Sequence, residues 1–197
     1  MVPSTLVPVP DCKLVRYARR PRMQARTPDR IGWAVERLDP AAADELLEIG
    51  CGNGAAVALI CPRLECGRIT AIDRSATAIA TATKRNAAHI ASGKAVFLGT
   101  ELACFESSAH SFDKAFAVNV NVFWLRPTAE LRVLARVLKP GGALCLAFQP
   151  PNESQLDSIA TACAERLAAQ GFVAVRTVRD RFESGSAVCV HALRGER

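Results

Sequence analysis

Three glycines within five residues, set directly behind a short apolar run, constrain this chain more than any other feature. Residues 45–49 read Glu-Leu-Leu-Glu-Ile and lead into Gly50-Cys51-Gly52-Asn53-Gly54, after which Ala55 opens a helical pattern. A strand that turns so tightly into a helix needs residues without a Cβ. The turn leaves the unpaired N–H groups of the helix start facing whatever approaches the loop. Asp73 ends the next apolar run, 19 residues past Gly54. An ionised carboxylate only accepts hydrogen bonds, so Asp73 suits the two hydroxyls of a ribose. The spacing Gly50-x-Gly52-x-x-Ala55 also satisfies the loose dinucleotide fingerprint. Glu48 speaks against a dinucleotide. A carboxylate there faces a pyrophosphate unfavourably, whereas it suits a ligand carrying an ammonium and a sulfonium.

The rest of the chain alternates strand-like and helical patterns. A helix is predicted over 28–38, with Thr27 as its cap and Pro28 at the first helical position. Further helices are predicted over 55–61, 75–92, 127–138 and 152–170, the last opened by a capping box of Asn152 and Gln155. Strands are predicted over 45–49, 68–73, 95–98, 112–119, 143–148, 172–178 and 187–193. Alternation of this kind predicts an α/β fold of three layers, a mostly parallel sheet with helices on both faces. The near-continuous apolar strands agree, since both of their faces are buried. The last two strands are joined by a short polar turn and therefore pair antiparallel. Ligands of such sheets bind at the carboxyl ends of the strands, where the glycine loop lies.

A length of 197 residues favours one domain, and 50% hydrophobic residues exclude a chain disordered throughout. No stretch reaches the roughly 18 uncharged apolar residues of a membrane span. The first ten residues hold three prolines and no basic residue, a poor signal peptide. A cytoplasmic protein is expected. Eight cysteines are present, but no Cys-x-x-Cys. They read as small buried hydrophobes in a reducing compartment, with no metal site and no disulfide framework expected. Residues 12–37 hold eight basic against two acidic residues, which equals the whole net charge of +6. The expected organisation is a basic, proline-containing segment over 1–27, a candidate lid, and one domain over 28–197.

The motifs together resemble one family. Residues 46–54, with Ala71-Ile72-Asp73-Arg74-Ser75, residues 112–119 and the stretch ending Lys139-Pro140-Gly141-Gly142, are similar to the class I S-adenosylmethionine-dependent methyltransferases. The resemblance spans about residues 28–193 and implies a Rossmann-like seven-stranded sheet ordered 3-2-1-4-5-7-6 with strand 7 antiparallel. It implies S-adenosylmethionine as cofactor and S-adenosylhomocysteine as product. It places Glu48, Gly50, Cys51, Gly52, Gly54, Asp73, Arg74, Thr100, Glu101 and Asn119 at the cofactor. In such enzymes the glycines wrap the methionine part, the acid corresponding to Glu48 orders the loop or meets the amino group, and the acid corresponding to Asp73 holds the ribose. Many members carry Gly-Asp after strand 3. Here Gly99-Thr100-Glu101 stands instead, which leaves the adenine contact open between backbone and side chain. The Asn-Pro-Pro-Tyr of enzymes that methylate amino groups of DNA or glutamine is replaced by Asn119-Val120-Asn121-Val122-Phe123-Trp124.

The implied activity is methyl transfer to a small-molecule acceptor by in-line displacement, by a monomer or homodimer. The alternatives are an RNA or protein methyltransferase using the basic N-terminus, and a non-catalytic S-adenosylmethionine-binding protein. Asn119 and Asn121 alternate, so both side chains are expected on one side of the strand-4 mouth. Asn121 and His110 are the catalytic candidates; His191 and His89 are further histidines without a partner motif. Phe123 and Trp124 divide between core and acceptor wall. Tyr17, Arg20 and Met23 are candidate lid contacts.

Overall fold

The structure, a computed structural model, describes residues 28–196. Its strands are β1 (Glu45–Ile49), β2 (Arg68–Asp73), β3 (Ala95–Gly99), β4 (Phe112–Val118), β5 (Leu138–Phe148), β6 (Phe172–Phe182) and β7 (Gly185–Arg194). They form one sheet in the order β3-β2-β1-β4-β5-β7-β6. The first five strands pair in parallel, and β7 runs antiparallel to both β5 and β6. This is the order that the family resemblance implies.

The helices are α1 (Asp29–Leu38), α2 (Ala55–Ile60), α3 (Ala76–Arg85), α4 (Ala87–Ala91), α5 (Val122–Leu125), α6 (Thr128–Val137) and α7 (Leu156–Ala169). Period-2 alternation along β4 divides the core. Ala115 and Ala117 face a cluster with Leu131 and Leu134 of α6 and Leu167 of α7. Phe116 faces the opposite cluster, with Val35 of α1 and Val57 of α2. Leu134 and Leu167 are wholly buried, and each such side chain contributes about 1.5–3 kcal/mol.

Several elements differ from the sequence expectation. The helix predicted over 28–38 begins at Asp29, with Pro28 in the cap position and no side-chain cap. The capping residue expected there, Thr27, lies outside the described residues. The helix predicted over 75–92 is two helices, broken at Asn86. The Asn86 side chain is fully buried and donates to the carbonyls of Ala82 at 2.9 Å and Gly54 at 3.0 Å. An asparagine that bonds the backbone this way competes with helical continuation. Ser75 does cap α3, accepting from the Ala78 N–H at 3.3 Å. No capping box opens α7. Asn152 accepts from the Ser154 N–H at 3.0 Å and caps a single 3-10 turn ahead of the helix. The strand predicted to start at Ala143 begins at Leu138, because β5 pairs with β4 on either side of a bulge at residues 139–142.

Candidate active site

The segments that follow β1, β2, β3 and β4 border an open cleft of about 860 Å³. The glycine loop forms one wall. The N–H groups of Gly50 and Cys51 both donate to the Ile72 carbonyl, at 2.8 and 3.0 Å, which stitches the loop to the end of β2. Gly50 and Gly54 have φ of +71°, a region that L side chains rarely adopt. A Cβ on Gly50 would stand 2.6 Å from Val120 Cγ2, and one on Gly54 would stand 2.5 Å from Asn86 Nδ2. A Cβ on Gly52 would meet nothing within 4 Å. The loop is therefore packed at both ends and open in the middle.

Asp73 ties this loop to the next helix. Its Oδ2 accepts from the Gly52 N–H and its Oδ1 from the Ser75 N–H, each at 2.9 Å. A carboxylate has about four lone-pair sites, so both oxygens keep acceptor capacity toward the cleft.

Glu48 sits in β1 just behind the loop, 4% exposed, with Oε2 buried and unpartnered among the described residues. Burial pushes its carboxyl up from 4.5 to about 8, and the charge of Asp73 adds to the shift. The free protein therefore carries a protonated Glu48 at neutral pH. A cation placed against it would favour the ionised form instead. The same burial pushes the Cys51 thiol up to about 12, so Cys51 is no nucleophile.

This shift predicts a pH dependence. Unfolded, Glu48 releases its proton near pH 4.5; folded, it holds the proton to about 8. Its contribution to stability is complete below the lower value and is lost as pH rises through the upper one. In Glu48→Gln that loss is gone. The melting temperature of the variant minus that of the parent should therefore grow from pH 5 to pH 8, measured without ligand. A difference that stays constant with pH would mean that Glu48 is ionised throughout.

Of the residues singled out in the sequence, Gly50, Asp73, Arg74, Thr100, Glu101, Asn119 and Asn121 line the cleft. Glu48, Cys51, Gly52 and Gly54 stand in β1 or the loop, outside its lining. Leu102, Leu125, Arg126 and Glu130, not among the residues singled out in the sequence, also line it. They arrive on a 3-10 turn, on α5 and α6 and at the link between those helices, and no motif marks them.

The expected alternation of Asn119 and Asn121 is corrected. β4 ends at Val118, Asn119 has φ of +56°, and Asn121 takes the N-cap position of α5 without a side-chain cap. Asn119 Oδ1 accepts from the Gln149 N–H at 2.7 Å, which fixes it against the end of β5. Both asparagines also border a second, smaller cleft of about 250 Å³, with Trp124, Phe148, Gln149 and Pro150 among its walls. Phe123 is core, 1% exposed.

His110 is not brought to the cleft. It lies in the turn before β4, at the opposite end of that strand, where its N–H donates to the Arg136 carbonyl at 3.0 Å. His89 is on α4, and His191 lies within β7 opposite Cys145. Neither lines either cleft. The lid candidates Tyr17, Arg20 and Met23 lie outside the described residues. Among the described residues no helix is long and apolar enough to cross a membrane.

Comparison with known proteins fits this geometry. A family model described as a methyltransferase domain matches residues 47–144. An O-methyltransferase of Pyrenophora dematioidea is 33% identical over 113 residues, covering 57% of this chain and 42% of that protein. The chain thus spans less than half of that relative's length. The [4+2]-cyclase SpnF superposes with a TM-score of 0.69 at 18% identity, over 85% of this chain and 80% of that one. An S-adenosylmethionine-dependent O-methyltransferase of Thermotoga maritima superposes at 0.67 with 16% identity, over 89% and 68%. At these identities the solved structures speak for the fold alone. The sheet order, the glycine loop and the matched model define a Rossmann-like methyltransferase domain. The chain belongs to the class I S-adenosylmethionine-dependent methyltransferases, whose cofactor is S-adenosylmethionine.

Proposed function

We propose that residues 28–197 form a single domain that methylates a small, uncharged acceptor at oxygen. One observation carries this reading: the large cleft and the small one meet at Asn119 and Asn121, the residues that follow β4. The large cleft suits the cofactor. Asp73 keeps free acceptor sites for the ribose hydroxyls, and Glu48, buried just behind the glycine loop, backs the end that would hold the methionine part. Gly50, Cys51, Gly52 and Gly54 form a close-approach loop, Arg74, Thr100 and Glu101 border the purine end, and Asn119 borders the reacting end. Bound there, S-adenosylmethionine supplies a methyl group on sulfonium for in-line displacement.

The small cleft suits the acceptor. Its described walls are amides, prolines, aromatic rings and Ile159, with no titratable side chain. That favours a flat acceptor whose own hydroxyl is acidic, a phenol or enol, oriented by amides and giving up its proton to solvent rather than to a strong base. The chain's part is orientation, with reacting atoms about 3–3.5 Å apart, and exclusion of water. The relative from Pyrenophora dematioidea, an O-methyltransferase by name, supports oxygen as the accepting atom. Seven free cysteines among the described residues support a reducing, cytoplasmic setting.

The test has two arms. S-adenosylmethionine and S-adenosylhomocysteine at a hundred times Kd should add about 2.7 kcal/mol of stability, roughly 5–11 °C in a domain of this size. Nicotinamide dinucleotides should add nothing. Methyl-labelled cofactor should then label phenols or enols from a metabolite panel. Label entering RNA or protein, or a larger shift with a dinucleotide, would overturn the reading.

A further inference from the structure

On the side of the sheet that packs against α1, β5 and β7 assemble a cluster that plays no part in either cleft. Cys145 and His191 stand directly opposite in the antiparallel ladder, and Cys189 lies two residues before His191, on the same face. The sulfurs of Cys145 and Cys189 are 2.9 Å apart. Both sulfurs and a ring nitrogen of His191 lie within 4.8 Å of one another. The two cysteines are 1% and 0% exposed, while His191 is half-buried and gives the cluster its access to solvent. We propose that Cys145, Cys189 and His191 bind one thiophilic d10 cation, Zn(II) or Cu(I), as a clamp between β5 and β7.

Three arguments support this. Two thiolates and an imidazole are the donor set that such ions prefer, and three protein ligands suffice to hold them. A disulfide is the poorer outcome for the same pair. Cys145 and Cys189 are diagonal neighbours in the ladder, not opposite ones. Diagonal Cα atoms stand about 7–8 Å apart, at or beyond the roughly 7 Å that a disulfide spans. Charge also fits. Arg176 stands opposite His191 across the β6–β7 ladder, and Arg37 of α1 lies near it as well. Positive neighbours favour a complex of zero or negative charge. Two thiolates give neutrality with Zn(II) and one negative charge with Cu(I).

On binding, two S–H bonds break, two S–metal bonds form and two protons leave to solvent; no oxidation state changes. Tetrahedral Zn(II) with bonds of about 2.3 Å sets its sulfurs roughly 3.8 Å apart, so the cysteine side chains rotate slightly apart. Nothing in the linear spacing signals the site. The two cysteines are 44 residues apart, which is why the sequence suggests no metal.

The test uses the full chain, reduced and metal-free, titrated anaerobically with Zn(II) or Cu(I) against a chromophoric chelator. One equivalent of at least one ion should bind more tightly than about 1 µM, and the ion should raise the melting temperature. Cd(II), as a spectroscopic stand-in, should give a thiolate-to-metal charge-transfer band. Cys189→Ala and His191→Gln should each weaken binding at least tenfold, whereas the double variant of the exposed cysteines, Cys66→Ser with Cys104→Ser, should bind as the parent does. No charge-transfer band in the parent chain overturns the proposal, whatever the variants do. So does binding that follows Cys66 and Cys104 instead of Cys189. The readouts are independent of methyl transfer, so failure here leaves the proposed activity standing, and the reverse.

Discussion

Asp73→Ala is expected to weaken S-adenosylmethionine at least a hundredfold. The carboxylate has two duties. Inside the protein it holds the N–H groups of Gly52 and Ser75. Toward the cleft it offers its remaining lone pairs to the ribose. Hydrogen bonds to a charged group contribute about 1.5–3 kcal/mol each, and two ribose hydroxyls make about 3–6 kcal/mol. At 1.4 kcal/mol per decade that is roughly a hundredfold to ten-thousandfold. Calorimetry on the variant checks the affinity, and a melt without ligand checks the loop. Asp73→Asn keeps one acceptor oxygen and should fall between parent and Asp73→Ala. Unchanged affinity alongside a lowered melting temperature would leave Asp73 as a loop tie alone and remove it from the ribose.

The second large effect concerns the fold. Gly54→Ala places a methyl group 2.5 Å from Asn86 Nδ2, 2.9 Å from Ala82 Cβ and 3.1 Å from Ala82 Cα, at a residue with φ of +71°. Overpacking of this kind costs about 1–3 kcal/mol, and the left-handed conformation costs an alanine about 1–2 kcal/mol more. Together these lower the melting temperature by roughly 4–20 °C. The neighbouring Gly52→Ala meets nothing within 4 Å and bears only the conformational cost. It should therefore lose much less stability. Equal losses in both variants would mean that the contact with Asn86 and α3 is unimportant.

The contrast between those two glycines shows where the sequence was legible. β1 and β2 run over the residues that their apolar patterns predict, because a buried strand next to a tight turn has sharp ends. The break at Asn86 was not legible. Its cause is a bond to the Gly54 carbonyl, 32 residues away, and helical periodicity continues through it. The wall around Asn119 was misjudged for a similar reason. A left-handed residue ends the strand one position early, and the Gln149 N–H holds its side chain from another strand. Glu48, Gly50 and Asp73 could be named from local spacing, since loop chemistry is local. Arg126 and Glu130 could not, because the path from α5 into α6 decides where they stand. The trio of Cys145, Cys189 and His191 depends wholly on strand register.

The meeting of the two clefts at Asn119 and Asn121 has an evolutionary consequence. Among the described residues these two are the whole overlap between the walls. Most of the small cleft comes from β5's end, the segment leading into α7 and the start of α7 itself: Phe148, Gln149, Pro150, Pro151, Gln155 and Ile159. None of these lines the large cleft. Under the proposed reading, substrate choice and methyl-donor grip are inherited on separate stretches of chain. Swapping residues 149–155 between relatives would retarget the enzyme while its donor-binding half stays the same, and lineages could drift in what they modify without relearning how to hold the donor.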